Sequence, residues 1–251
     1  MKIDLNCDMG EGFGPWRMGD DAALLEIVTS ANIACGFHAG DPQVMAATMQ
    51  AAVARGVGIG AHPEFADLQG FGRRRMALTT EELAAMVAYQ LGAAQALARR
   101  AGGRVRHLKL HGALSNMAAE DAEIARACFE AALAVDPDLC LVVLPQTAME
   151  QVARELRADW AGEIFADRAY ADDASLLSRA EPGAVLHDPA DVGPRIAEML
   201  REGAIIAASG KRVPCRIDTV CVHGDGRDAV AMARSLRDHL RGAGLTIEAF
   251  G

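Results

Sequence analysis

Histidines and carboxylates recur just after short apolar runs of this sequence. His38, His62, His111 and His223 each lie at or just past the end of such a run, and Asp8 follows the first one. Imidazole and carboxylate groups together serve two kinds of chemistry, which are the binding of a divalent metal that activates water and metal-free general acid–base catalysis. The spacing does not distinguish the two, because the groups follow different apolar runs.

Other polar side chains fall beside these groups, and we predict that they bind the substrate or an anion. They are Asn6, Glu11, Asp41, Arg73, Arg74, Lys109, Asp167, Arg168, His223 and Asp225. Lys109 is the most unusual, because it interrupts the apolar run LKLHGAL and buried lysines are rare unless they are paired. We expect its partner to be a neighbouring carboxylate or an anionic ligand. The glycine-rich turns at 40–41 and 224–226 precede predicted helices, whose first N–H groups can also hold an anion.

Each of these residues alone also fits a structural role. A single histidine at a strand end is often only a hydrogen-bonded structural residue, and Asp41 before Pro42 suits the N-cap of a helix. The functional interpretation depends on a coincidence, which is that four of the seven histidines share one end of the predicted strands. We interpret His107, His187 and His239 as structural.

Short apolar runs alternate with helical patterns along most of the chain. The runs predicted as strands are 2–7, 31–35, 57–61, 106–110, 140–144, 162–166, 184–187 and 218–222. The segments predicted as helices are 21–29, 42–55, 80–101, 119–134, 146–158, 189–202 and 227–242. This alternation predicts a parallel sheet with crossover helices, and residues 208–213 predict a hairpin turn before the last core strand.

The number of strand–helix units favours a closed barrel over an open sheet. Seven or eight such units in 251 residues suit a single α/β barrel domain over residues 1–251. An open, doubly wound sheet is the alternative, although no GxGxxG motif follows the first strand. In a barrel the carboxyl ends of the strands converge on one face, so the predicted site residues would meet there.

Composition and motifs argue against several other classes of protein. The net charge is −9 and no basic stripe is present, which argues against nucleic-acid binding. No apolar run approaches the roughly 20 residues of a membrane span, and the amino terminus has no signal-peptide pattern. The six cysteines form no CxxC pair, and we expect them to be reduced and mostly buried, as in a cytoplasmic protein. Neither a GxSxG nucleophile motif nor a P-loop occurs.

Six blocks of the sequence resemble the LamB/YcsF family. They are DLNCDMGEGFG (4–14), ANIACGFHAGDP (31–42), GAHPEFADLQGFGRR (60–74), KLHGAL (109–114), EIFADRAY (163–170) and DTVCVHGD (218–225). The blocks extend from the first predicted strand to the last, and their combination is highly specific. The resemblance implies a distorted, seven-stranded TIM-like βα barrel akin to the glycoside hydrolase/deacetylase superfamily.

The resemblance also implies an activity. The family supplies the A subunit of a bacterial ATP-dependent 5-oxoprolinase, which converts 5-oxo-L-proline to L-glutamate together with partner subunits B and C. The lactam is a stable amide, and its oxygen is a poor leaving group. Phosphorylation of that oxygen would make it a good leaving group, and water could then add and open the ring. We hypothesise that this chain hosts the hydrolytic part and that the absent P-loop leaves nucleotide handling to the partners.

The resemblance allows roles for individual residues within this hypothesis. The residues predicted to position water as catalytic groups are Asp8, His38, His62 and His111. Lys109, Arg73 or Arg74 would hold the substrate carboxylate or a phosphate.

Two other functions are alternatives. The first is a metal-dependent, deacetylase-like hydrolase, because the resembling superfamily includes enzymes with Asp-His-His metal sites. Asp8, His38 and His62 would then be the natural ligands of a divalent metal. The second is a protein that binds a small acid without catalysing a reaction.

Overall fold

Seven parallel strands close into a barrel in the computed structural model, which describes residues 1–186, 188–224, 226 and 228–250. The described residues form ten strands, of which seven make up the barrel; the ten are β1 (Lys2–Met9), β2 (Ser30–Ala34), β3 (Gly58–His62), β4 (Val105–Lys109), β5 (Cys140–Val143), β6 (Trp160–Phe165), β7 (Ala204–Ile206), β8 (Arg212–Pro214), β9 (Thr219–Val222) and β10 (Thr246–Ile247). The barrel order is β1-β2-β3-β4-β5-β6-β9, and a pairing of β9 with β1 closes it. The predicted seven-stranded α/β barrel is therefore confirmed.

The crossover helices begin where the sequence has start signals. The helices are α1 (Asp21–Leu24), α2 (Pro42–Arg55), α3 (Thr80–Arg100), α4 (Gly112–Glu120), α5 (Ala122–Val135), α6 (Ala148–Glu155), α7 (Pro189–Glu202) and α8 (Ala229–Gly242). Asp41 and Asp188 cap α2 and α7 directly before a proline. Thr79 and Glu82 form a capping box at the start of α3, which satisfies backbone N–H groups that the helix leaves open.

Two parts of the predicted pattern are wrong. Residues 184–186 form no barrel strand, and Val185 makes only an isolated antiparallel bridge to Arg168. This segment belongs to a loop that folds back on itself after β6, so its backbone pairs locally; His187 lies outside the described residues. Helix α4 begins at Gly112, where no helix is predicted before residue 119, because its apolar residues continue the strand-like pattern of β4.

The predicted hairpin and the predicted state of the cysteines are confirmed. Strands β7 and β8 pair antiparallel, and the Ala207 N–H donates to the Lys211 carbonyl across the turn at 2.9 Å. All six cysteines are free, and five of them are buried. No helix among the described residues has both the length and the apolar character needed to cross a membrane.

Apolar side chains fill the layer between the barrel and its helices, whereas polar side chains fill the barrel itself. Side chains alternate along a strand, so Asp4, Asn6 and Asp8 of β1 share one face. All three hydrogen-bond to side chains of other barrel strands. We call this interior set the lumen network, and its members are Asp4, Asn6, Asp8, Asn32, His107, Lys109, Glu163 and Thr219. It replaces the apolar layers that usually fill such barrels.

Candidate active site

A cleft of about 700 Å³ opens at the carboxyl ends of the barrel strands. Asp8, His62, Lys109 and His111 line it, which confirms that these predicted residues meet on one face. The loop after β6 contributes residues 174–179 to the opposite wall. The strand ends therefore supply the reactive groups and the loop covers them.

Lys109 lies at the bottom of the cleft between two carboxylates. Its Nζ is 2.9 Å from Asp8 Oδ1 and 2.9 Å from Glu163 Oε1, so the expected carboxylate partner is present twice. Burial alone would lower the pKa of Lys109, but Asp8, Cys221 and Glu163 hold it well above its usual value. Burial likewise acts to raise the pKa of Asp8, whereas Lys109 and His62 hold it well below its usual value. At neutral pH the lysine and the aspartate are both charged.

The lumen network fixes this charged group from below. Asn32 Nδ2 donates to Asp8 Oδ1 at 2.9 Å and to Asn6 Oδ1 at 2.7 Å. Asn6 Nδ2 donates to Glu163 Oε1 at 3.0 Å and to Thr219 Oγ1 at 2.7 Å. Asn6 was predicted to bind substrate. Its side chain instead hydrogen-bonds within the lumen network and does not line the cleft.

His62 and His111 lie beside Asp8 and point ring nitrogens at each other. His62 Nδ1 is 2.7 Å from the Lys109 carbonyl oxygen, and His111 Nε2 is 3.0 Å from the Phe71 carbonyl oxygen. The remaining nitrogens, His62 Nε2 and His111 Nδ1, are 3.0 Å apart. His62 Nε2 also lies 3.4 Å from Asp8 Oδ2, so this pair of imidazoles adjoins the charged group.

His38 lies behind His111 rather than on the cleft surface. The two rings stack with centroids 4.0 Å apart. Both ring nitrogens of His38 are buried and have no hydrogen-bond partner among the described residues, although Nε2 is 3.9 Å from Glu11 Oε1. Burial, with the neighbouring His111 and His62, holds the pKa of His38 well below its usual value. Burial and His62 do the same to His111, so both rings are neutral at pH 7.

Two groups of residues in the described part of the chain have donor atoms close enough together to share a metal ion. Glu11, His38, His62 and His111 offer atoms that all lie within 4.8 Å of one another, and we call them the histidine cluster. Asp8, Cys221 and His223 form the second group. The predicted ligand set of Asp8, His38 and His62 is thus divided between them. An imidazole-rich set with one carboxylate suits a first-row divalent metal.

Arginines give the outer cleft a basic rim. Arg73, Arg75, Arg168 and Arg179 all line it, so two of the predicted anion-binding arginines are in place. The Arg73 guanidinium lies over the Phe71 ring, 4.9 Å from its centroid. Arg168 donates to the carbonyls of the loop after β6 and so holds that wall in position.

Arg74 does not line the cleft. It binds the Asp67 carboxylate, with Nε 3.0 Å from both carboxylate oxygens, and its side chain is largely exposed. Its neighbours Arg73 and Arg75 do line the cleft, and Arg75 forms an ion pair there with Glu120.

The remaining predicted residues fall into three situations. His223 lines the cleft, with Nδ1 2.8 Å from Asp167 Oδ1; burial acts to raise the pKa of Asp167, and His223 outweighs it and lowers that pKa. Asp41 caps α2 and accepts hydrogen bonds from the N–H groups of Gln43 and Val44. Its position therefore fits the helix N-cap that the sequence also allowed. Asp225 lies outside the described residues.

Sequence reasoning missed four residues that shape the site, which are Glu64, Arg75, Glu163 and Arg179. Glu163 had a usable signal, because it interrupts the apolar run GEIFA much as Lys109 interrupts its own. Glu64 is buried and accepts from the Leu114 N–H at the start of α4, and burial raises its pKa to about 8. The two arginines had no signal, because the path of their loops is not encoded in any periodicity.

Comparison with known proteins adds relatives of full length. The LamB/YcsF family model matches residues 3–251. The A subunit of 5-oxoprolinase from Ruegeria pomeroyi is 60% identical over 99% of this chain and 98% of its own. The crystal structure of a lactam utilization protein from Thermus thermophilus is 44% identical, with a TM-score of 0.94 over all of both chains. A peptidoglycan N-acetylglucosamine deacetylase from Eubacterium rectale, 9% identical, shares only the fold, with a TM-score of 0.53 over all of this chain and 88% of its own.

Proposed function

The chain belongs to the LamB/YcsF family, and from this premise we propose that it is the A subunit of a 5-oxoprolinase. It is a hydrolase that opens the cyclic amide of 5-oxo-L-proline to give L-glutamate. The observation that carries the proposal is the meeting of a charged lysine, an ionised aspartate and two imidazoles in one cleft, in a chain 60% identical to the A subunit of a known 5-oxoprolinase. These are the groups that hydrolysis of an amide requires.

Ring opening needs three things from the protein. A water molecule must lose a proton as its oxygen attacks the carbonyl carbon, the negative charge on the carbonyl oxygen must be stabilised, and the ring nitrogen must gain a proton as the C–N bond breaks. An imidazole of His62 or His111 in its unprotonated form can accept the first proton and, once it carries that proton, deliver it to the ring nitrogen. The Lys109 ammonium, fixed by Asp8 and Glu163, supplies positive charge for the oxygen.

The use of ATP belongs to the complex in this proposal. Once the lactam oxygen carries a phosphoryl group from ATP, one water would open the ring to an acyl phosphate, and a second water would release the carboxylate and inorganic phosphate. Subunits B and C would supply the phosphoryl transfer in the cytoplasm. The sequence has no P-loop, so this chain need not hold the nucleotide in that way. The basic rim of Arg73, Arg75, Arg168 and Arg179 would bind the carboxylate or phosphate of the substrate.

The activity of reconstituted complexes tests this proposal. The chain is assayed with and without its B and C partners, and the loss of 5-oxoproline and the release of phosphate are followed together. We expect ring opening only with all three subunits. Asp8→Asn should lower the rate at least about 100-fold, because the charge that orients Lys109 and His62 is lost. Asp238→Asn, an exposed change on α8, is the matched control. Undiminished turnover by Asp8→Asn would remove the aspartate from the mechanism.

A further inference from the structure

The hydrogen bonds of the histidine cluster determine which ring nitrogens carry protons. A carbonyl oxygen can only accept, so His62 Nδ1 and His111 Nε2, which face the carbonyls of Lys109 and Phe71, must be the protonated nitrogens. The remaining nitrogens, His62 Nε2 and His111 Nδ1, are therefore the positions open to a further proton or to a metal ion, and they face each other across 3.0 Å.

A cation placed between these two nitrogens would be bound by both of them. Lys109 does not take that position, because its Nζ is bound to Asp8 and Glu163. Next to this pair, His38 buries two ring nitrogens without a hydrogen-bond partner among the described residues. A buried polar group in that state destabilises the fold. A cation bound by these histidines would satisfy the facing nitrogens and His38 together.

We propose that Glu11, His38, His62 and His111 bind a divalent transition-metal ion of the zinc class. Each offers one donor atom, and these atoms all lie within 4.8 Å of one another. Ligands at about 2.0–2.1 Å from one tetrahedral ion lie about 3.3 Å apart, so the donor atoms would draw together on binding, and the stacked rings of His38 and His111 would tilt towards the ion. The backbone carbonyls behind His62 and His111 are the partners that orient metal-binding imidazoles in known sites.

This ligand set differs from the Asp8, His38 and His62 set suggested by family resemblance. Asp8 Oδ1 already accepts from Lys109 and Asn32, so Asp8 is committed to the lumen network. Glu11 and His111 take its place. The inference deepens the proposed function, since His62 and His111 line the cleft. When such an ion is bound, the ring nitrogens that face each other are ligands, so the ion would activate water in place of an imidazole acting as base. The inference rests on the proposed function only for this role in catalysis.

Direct metal binding tests the proposal on the full-length chain. The protein is stripped with a chelator, and Zn²⁺ is titrated by calorimetry, with Co²⁺ as a spectroscopic probe of nitrogen ligation. We expect one equivalent to bind, with affinity reduced by about tenfold or more in Glu11→Gln and in His38→Leu. His239→Asn, an exposed histidine on α8, should bind as the unmodified protein does.

Asp8→Asn distinguishes the two ligand sets, because it should leave the affinity nearly unchanged if Glu11 is the carboxylate ligand. Circular dichroism and thermal unfolding establish that each variant is folded before titration. Absence of stoichiometric binding, or binding that falls with Asp8→Asn but not with Glu11→Gln, overturns the proposal. If no metal binds while the complex still opens the lactam in chelator, the site is refuted and the proposed function stands. If metal binds as expected but the complex opens no lactam, the metal site stands and the proposed function is refuted.

Discussion

The lumen network and the histidine cluster are buried to the same depth but differ in how their polar atoms are satisfied. In the network, the side chains of Asn6, Asn32 and Lys109 each donate to at least two side-chain partners. In the cluster, neither ring nitrogen of His38 has a hydrogen-bond partner among the described residues. The difference teaches that polarity in a barrel interior is not by itself a sign of a binding site. Unmet hydrogen-bonding capacity is the sign.

Lys109→Met should produce the largest loss in the free energy of unfolding, because it removes the cation at the centre of the lumen network. The change leaves Asp8 and Glu163 as buried carboxylates without their cation, and breaking a buried ion pair in this way costs about 3–5 kcal/mol. Urea unfolding at pH 7, followed by circular dichroism, measures the loss. Glu163→Gln in the same chain should restore part of it by removing one charge.

Lys2→Met is the control for that experiment, because Lys2 is an exposed lysine that also pairs with a glutamate. Its loss should be about 1 kcal/mol or less. Equal effects of the two substitutions would mean that the lumen network does not depend on its central charge.

A smaller effect should appear at the far end of the network, in the dependence of stability on pH. Burial raises the pKa of Asp4 from 3.8 to about 6, although hydroxyl donors from Thr219, Ser30 and Thr29 act against the shift. Between about pH 4 and 6 the folded protein therefore keeps a proton that the unfolded chain has released. Its contribution is full at low pH and is lost as pH rises through this window, by at most about 1.4 kcal/mol per pH unit.

Asp4→Asn cannot release that proton, and so it isolates the contribution of Asp4. The unfolding free energy of the unmodified protein, minus that of Asp4→Asn, should fall from pH 4 to pH 6 and then level off. Asp238→Asn, the same change at an exposed position, is the control. A difference for Asp4→Asn that does not change with pH would show that its carboxyl titrates as it does in the unfolded chain.

The smallest effect on stability is expected at His38. His38→Leu loses the stacking on His111 but also removes two buried nitrogens that have no hydrogen-bond partner among the described residues, so in chelator the change should stay within about 1 kcal/mol. His107→Leu is the matched comparison, because His107 is equally buried and its Nε2 is 2.8 Å from Asn32 Oδ1. It should cost about 1–3 kcal/mol. Equal costs for the two histidines would erase the distinction between network and cluster.

The barrel could be predicted from the sequence because apolar runs and helix start signals alternate along the chain. Apolar runs followed by capped helices, such as Asp41 before Pro42, specify local elements that only a parallel sheet can join. The strand predicted at 184–187, where the described residues 184–186 form none, shows the limit of this reasoning. An apolar run in a loop has the same composition as a strand, and only the backbone partner, here Arg168, distinguishes them.

The site could be predicted in its location but not in its internal contacts. His62 and His111 follow β3 and β4, so the convergence of strand ends was enough to bring them together. Which carboxylate faces which imidazole depends on register and on loop paths. Asp8 pairs with Lys109 while Glu11, three residues later, lies beside His38. No periodicity in the sequence distinguishes those two acids.

The closure of the barrel has a consequence for synthesis on the ribosome. Asp4 on β1 meets Thr219 on β9, and the strands pair along Asp4–Cys7 and Thr219–Val222. The polar side chains of the first strand are made early, yet one of their neighbouring strands emerges only after more than 200 further residues. Such long-range pairing slows folding and leaves edges exposed in the meantime. In the nascent chain, the edge of β1 that pairs with β9 therefore stays exposed, with its polar groups unpaired, until β9 has been synthesised.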